Sequence, residues 1–251
     1  MLIKRGLSCL IIIALLVGTL SACGGNTEQM TSAPDDTVTN EVSVDIPAVG
    51  DTITFGSYEQ DNDLSNGSED IEWSVLAVDG NRVLVISKYV LDVQRYHESV
   101  SRVTWETSTI RGWLNNDFLN AAFNEEEQSM IPTVLVQNED NPNHGTPGGN
   151  DTEDRVFLLS IHEASTYFHA DNEARACGAT AYAIGQGLFF EEDTHYNPLG
   201  GVNWWLRSPG EDPFAVATVT QNGRYEYHYY SATDITISGG VRPAIWIDYG
   251  A

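Results

Sequence analysis

Apolar residues fall into distinct patterns along the chain, and each predicts a different element. The first is a largely apolar run from Leu7 to Leu20, preceded by Lys4 and Arg5 and followed by small residues up to Cys23. A basic start, a short apolar stretch and small residues behind it are the layout of a secretory signal; the run is shorter than the roughly 18–20 apolar residues of a permanent span. From Gly24 to about Ala48 there is no period, only Thr, Asn, Asp and Pro among scattered apolar residues, which predicts a flexible tether with a reach of roughly 25–30 Å. Alternation with period two begins at Asp51–Gly56 and continues through Ile71–Ser87, where Ile71, Trp73, Val75 and Ala77 share one face and Asp79-Gly80 marks a hairpin. Between Thr104 and Ile131 the period becomes helical: Ile110, Trp113 and Leu114, then Phe118, Leu119, Ala122 and Phe123. Ser108 is placed to cap the first helix, and Asn124 with Glu127 has the spacing of a capping box before Pro132.

Further along, strands are predicted at 133–137 and 155–159, on either side of a long polar loop from Asn138 to Asp154. Ser160 with Glu163 is a second capping pair ahead of IHEASTYF, and 171–187 (DNEARACGATAYAIGQG) also reads as helical. Strands return from Trp204 to Ile247, with a hairpin around Asn222-Gly223 and a closing strand, GGVRPAIWI, entered through glycines. Strand, helix, strand in that order, without regular βαβ alternation, predicts the α+β class: mixed and antiparallel short strands with two or three helices on the flank.

Charge and cysteine content narrow the function. Against 12 Lys and Arg stand 36 Asp and Glu, a formal net charge of −24, so a phosphate-binding surface for nucleic acid is excluded. Leu20-Ser21-Ala22-Cys23 resembles the lipobox of bacterial lipoproteins, in which the peptidase cuts before the cysteine and the thiol carries a diacylglycerol. The resemblance implies Cys23 as the lipidation site and a membrane partnership through that lipid, with the protein facing outside. Residues 1–22 then form the signal peptide, 23–48 the lipidated cysteine and tether, and 49–251 a single globular domain. Cys9 leaves with the leader and Cys23 is acylated, so Cys177 alone remains and no internal disulfide forms. A domain of this length can depend on its core instead.

Catalytic motifs are missing. There is no GxSxG, no glycine-rich phosphate loop and no CxxC, and His162-Glu163 does not begin a zinc motif because Thr166 stands where the second histidine belongs. Acid pairs such as Glu191-Glu192 and Glu211-Asp212 have the chemistry of a glycosidase, but among 36 acids they read first as solvated surface. In the 138–154 loop, Glu139, Asp140, Asp151, Glu153 and Asp154 offer hard oxygen ligands of the kind Ca²⁺ takes; a solvated loop without a metal is the other reading. In Arg224–Tyr230, alternation puts Tyr225, Tyr227 and Tyr229 on one face and Arg224, Glu226 and His228 on the other, suited either to sheet packing or to a sugar-binding surface. Arg207 and Arg242 sit inside apolar strands, where a guanidinium needs a carboxylate or carbonyl partner; Arg207 reads equally as internal stitching and as ligand contact, Arg242 as stitching.

Taken together, TITFGSYEQ, IEWSVLAVDGNRVLVISKYVLD, STIRGWLNNDFLNAAF, RVFLLSIHEA, WWLRSPG and GGVRPAIWI resemble a bacterial domain family of unknown function, frequent in secreted and lipid-anchored proteins of Gram-positive bacteria. The ending, Trp204 to Ser208, AVATV, the turn at Asn222-Gly223 and Gly240-Val241-Arg242-Pro243, is similar to that of C-type lectin-like domains, a group that includes the formylglycine-generating enzymes. That likeness implies a C-type lectin-like scaffold presenting ligands on its late strands and loops. The cysteine pair of those enzymes, the disulfides of lectins and their Trp-Asn-Asp calcium triplet are missing here, which argues against catalysis and against lectin-type sugar coordination. The expectation is a lipid-anchored extracytoplasmic binding module for a glycan or a protein, with Arg207, Glu211, Asp212, Arg224, Tyr225, Tyr227 and His228 as contacts and no cofactor, unless the acidic loop takes Ca²⁺. The competing readings are an envelope polysaccharide hydrolase using two carboxylates and a structural envelope protein without a small ligand.

Overall fold

A computed structural model describes residues 45–169, 171–227 and 238–250. Cys23, the leader, most of the tether and His228 lie outside these described residues.

In chain order the elements are β1 (Thr52–Tyr58), β2 (Glu69–Asp79), β3 (Arg82–Ser87), β4 (Asp92–Arg95), a 3₁₀ turn (Trp105–Thr107), α1 (Thr109–Trp113), a π-helical turn (Leu114–Phe118), α2 (Leu119–Ala122) and α3 (Glu125–Met130). These are followed by β5 (Val134–Val136), β6 (Thr152–Asp154), β7 (Val156–Phe157), α4 (Ile161–Tyr167), α5 (Asn172–Arg175) and α6 (Ala181–Gly185). The last third supplies β8 (Trp204–Pro209), β9 (Val216–Val219), β10 (Tyr225–Glu226), β11 (Ser238–Val241) and β12 (Ala244–Asp248). Among the described residues, one sheet has the order β1-β2-β3-β12-β7 and a second the order β10-β9-β8-β11-β4, while β5 and β6 pair by themselves. Pairing is antiparallel except between β11 and β8 and at the bridge from Val90 to Ala179. Mixed, mostly antiparallel sheets with short helices between them are compatible with the expected α+β class. Among the described residues, six short α-helices stand where two or three were expected.

Local signals account for much of this. The β2–β3 hairpin closes on the pair Asp79 and Arg82, so its two-residue loop is Gly80-Asn81, one position later than expected. Gly80 takes φ 61°, the left-handed conformation such a loop requires. The buried face of β2 runs Ile71, Trp73, Val75 as predicted, but a bulge between Val75 and Ala77 breaks the alternation and leaves Ala77 only half-buried. Ser108 caps α1, and Asn124 with Glu127 and Ser160 with Glu163 form complete capping boxes.

The main departure lies at 171–187. Instead of one helix, α5 and α6 are separated by an extended stretch in which Val90 N donates to Gly178 O and Thr180 N donates to Val90 O. Those bonds to Val90, in the segment between β3 and β4, hold the stretch extended. Cys177 is buried there, and burial pushes its thiol up.

Four fully buried tryptophans anchor the core, and each indole N–H finds an oxygen: Trp73 to Phe55 O, Trp105 to the Asp154 carboxylate, Trp204 to Arg175 O and Trp205 to Gln94 O. Arg242 lies between the rings of Trp204 and Phe168, its Nε donating to Ser87 O, which matches the stitching role expected of it.

Asp92, at the start of β4, accepts from the Tyr58 hydroxyl at 2.5 Å and from Val93 N. Burial nevertheless holds its carboxyl above the ordinary range. A carboxyl that binds its proton more tightly in the folded state stabilises fully below its unfolded value, near 4, and loses that contribution as pH rises through the raised folded value. Asp92→Asn cannot ionise. Its melting temperature relative to the parent is therefore expected to climb between about pH 4 and 7, and thermal melts in that range check it; a pH-independent difference between the two proteins would contradict the assignment.

Candidate functional site

The late strands hold their polar residues differently from one another. All six residues of β8 are buried, Arg207 among them. Its guanidinium pairs with both oxygens of Glu163 and donates to Leu158 O and Gln137 O. These partners supply the stitching expected of Arg207: an apolar strand retains a guanidinium when such partners take up its donors.

Tyr225 and Tyr227 are half-buried on one face as expected, with ring centroids 6.3 Å apart. Arg175 lies over the Tyr225 ring at 4.6 Å, and His144 packs against Tyr227 at 5.4 Å. Arg224 is exposed. Glu211 and Asp212 sit half-buried in the 208–214 turn, where the Asp212 carboxylate accepts from Phe214 N. This turn is stapled to the 138–154 loop, since Asn141 donates to Pro209 O and Gly210 O and Thr146 donates to Glu211 O.

The acidic loop spends its carboxylates on its own geometry. Asp140 accepts from Gly148 N, and Asp151 from Asn138 N. Asp154 is buried and takes Trp105, Thr152 and Arg111 as donors, the last at 2.6 Å. Glu139 and Glu153 are exposed. Glu139, Asp140, Asp151 and Asp154 do not converge as a group of three ligands; among the described residues, only Glu59, Asp61 and Glu69 do.

A groove that sequence reasoning missed runs between β4 and the 109–118 helix, with a volume of about 630 Å³. Gln94, Arg95 and Glu98 line one side, and Trp113, Asn116 and Asp117 the other. The helix is wound one residue wider at Leu114–Phe118, which frees carbonyls behind it; Asn115 and Asn116 donate their side-chain amides to Arg111 O and Gly112 O. Gly112 lies in this wall with an ordinary φ, and a Cβ built there would meet nothing within 4 Å. Internal packing therefore gives no reason for glycine, which costs a helix interior about 1 kcal/mol relative to alanine. Its effect is to open the groove to the backbone beside Trp113. The run Gly112-Trp113-Leu114-Asn115-Asn116-Asp117, a glycine and three small polar residues inside a helical pattern, is the signal that was available in the sequence.

This groove lies within a stretch, residues 80–249, that matches a family described as Domain of unknown function (DUF6273). The chain belongs to that family. The DUF6273 match begins at the turn between β2 and β3, so β1 and all of β2 precede it. No curated protein and no solved structure matches the chain.

Proposed function

We propose that this DUF6273 protein is an extracytoplasmic glycan-binding module, held at the membrane by a lipid on Cys23 and built on a C-type lectin-like scaffold, with the sugar seated between β4 and the 109–118 helix. The observation that carries the reading is the unfilled position at Gly112 beside the half-buried Trp113. A flat aromatic edge, an open backbone and planar polar side chains from Gln94, Arg95, Asn116 and Asp117 are the combination that sugar hydroxyls and ring faces demand. Glu98 and Asp117 against Arg95, on a chain of net charge −24, favour a neutral or amine-bearing glycan over an anionic one. For the hydrolase reading, a carboxyl of raised pKa belongs in the cleft, and neither Asp92 nor Glu59, both raised, lines this groove.

The test is a glycan array with the full chain in detergent, followed by titration of the captured sugar. Trp113→Ala is expected to weaken binding at least tenfold. Gly112→Ala is expected to stabilise the helix by up to about 1 kcal/mol while also weakening binding, because its methyl group projects into the groove. Binding unchanged in both variants but lost in Tyr225→Ala and Tyr227→Ala would move the ligand to the tyrosine face.

A further inference from the structure

Outside the groove, one cluster combines convergent ligands with an unmet demand for charge. The connection between β1 and β2 begins at Glu59, and β2 opens at Glu69. One oxygen each of Glu59, Asp61 and Glu69 lies within 4.8 Å of the other two. Glu69 accepts from Gln60 N at 2.7 Å and from Asp61 N at 3.2 Å, and Asp61 accepts from Asp63 N and the Asn66 amide. Glu59 is the exception. It is only 9% exposed, and its Oε1 is enclosed without any hydrogen-bond partner. None of the ion pairs among the described residues involves any of the three. An enclosed carboxylate oxygen without a hydrogen-bond partner, on a residue grouped with two further carboxylates, is costly unless a positive charge joins it.

We infer that Glu59, Asp61 and Glu69 bind a Ca²⁺ ion that fastens the start of the β1–β2 connection to the start of β2. Calcium takes oxygen ligands at about 2.3–2.6 Å in flexible geometry, so three oxygens that all lie within 4.8 Å of one another fit around it. Three carboxylates supply the hard, anionic oxygen set, and water completes the shell on the exposed side of Asp61. With one ligand enclosed and another exposed, the affinity belongs to the range of extracellular modules, a Kd on the order of 10⁻⁴–10⁻³ M. The site is separate from the groove and stands or falls without it. It also lies ahead of the residues that match the family, so it belongs to the part of the chain outside that match.

Calorimetric titration of the full chain with CaCl₂, and thermal melts in 10 mM Ca²⁺ against EGTA, test the assignment. The parent protein is expected to bind with that Kd and to melt roughly 3–10 °C higher in Ca²⁺. Glu59→Gln and Asp61→Asn are each expected to abolish the binding heat and the shift. In EGTA, Glu59→Gln should melt no lower than the parent, which shows that it folds; Asp61 is exposed, so its variant folds regardless. Asp140→Asn with Asp151→Asn is expected to keep both signals. Absence of a shift in the parent overturns the proposal. So does a shift that survives both Glu59→Gln and Asp61→Asn, or one that disappears with the 140/151 pair.

Discussion

Replacing Glu163 with alanine is expected to lower the unfolding free energy by about 3 kcal/mol, the lower end of the 3–5 kcal/mol seen when one partner of a buried ion pair is removed. The side chain of Arg207 is 2% exposed and that of Glu163 is 25%, so the charge left behind is the enclosed one while the charge removed was partly wet. Two carbonyls, from Leu158 and Gln137, would still accept from the guanidinium, but neither neutralises it. Glu163 has a second task, accepting from Ser160 N in the capping box of α4. Glu163→Gln keeps an acceptor for that bond and is expected to cost less than alanine. Urea unfolding of Arg207→Met, Glu163→Ala and the double variant separates these effects. The double variant should recover much of the loss, because no unpaired charge remains. A cost below about 1 kcal/mol for Glu163→Ala would mean that the pair is not enclosed as described.

The second large effect is expected at Trp205. This side chain is fully buried, donates to Gln94 O at 2.9 Å and meets the Tyr96 ring edge-on at 6.0 Å. Trp205→Ala is expected to cost about 3–5 kcal/mol, through lost burial and the cavity left behind. On the neighbouring strand β11 sits Gly239, where a Cβ would stand 2.4 Å from the indole. Gly239→Ala alone is therefore expected to cost about 1–3 kcal/mol by overpacking. In the Trp205→Ala background the same change should cost close to nothing, since the obstructing ring is gone. Guanidinium unfolding of the four proteins measures the coupling, and strictly additive losses would show that the glycine serves another purpose.

What was legible in the sequence was short-ranged. Ser108, the Asn124–Glu127 and Ser160–Glu163 pairs and the turn at Asn222-Gly223 act within a few residues of themselves, and each does in the structure what its spacing implies. The split helix at 171–187 was not legible, because the bonds that extend it come from Val90, more than 80 residues earlier. The same holds for Arg207: its burial was suggested by the strand around it, but its partner lies 44 residues away and already had a local role as a cap. The groove joins β4 to a helix that begins 14 residues after that strand ends, and its most telling residue is one without a side chain. Acidic residues were read by their density along the chain, which pointed to the 138–154 loop. Folding instead gathers Glu59 and Asp61 with Glu69, across a turn of the chain.

The position of β12 has a consequence for how the molecule is made. It lies inside the first sheet, between β3 and β7, although it is the last strand in chain order. The β1–β2–β3 meander can assemble from neighbouring sequence, but its far edge stays open until residues 244–248 have left the ribosome and slotted in. During synthesis β3 therefore exposes a hydrophobic row of unpaired peptide groups, an invitation to aggregation.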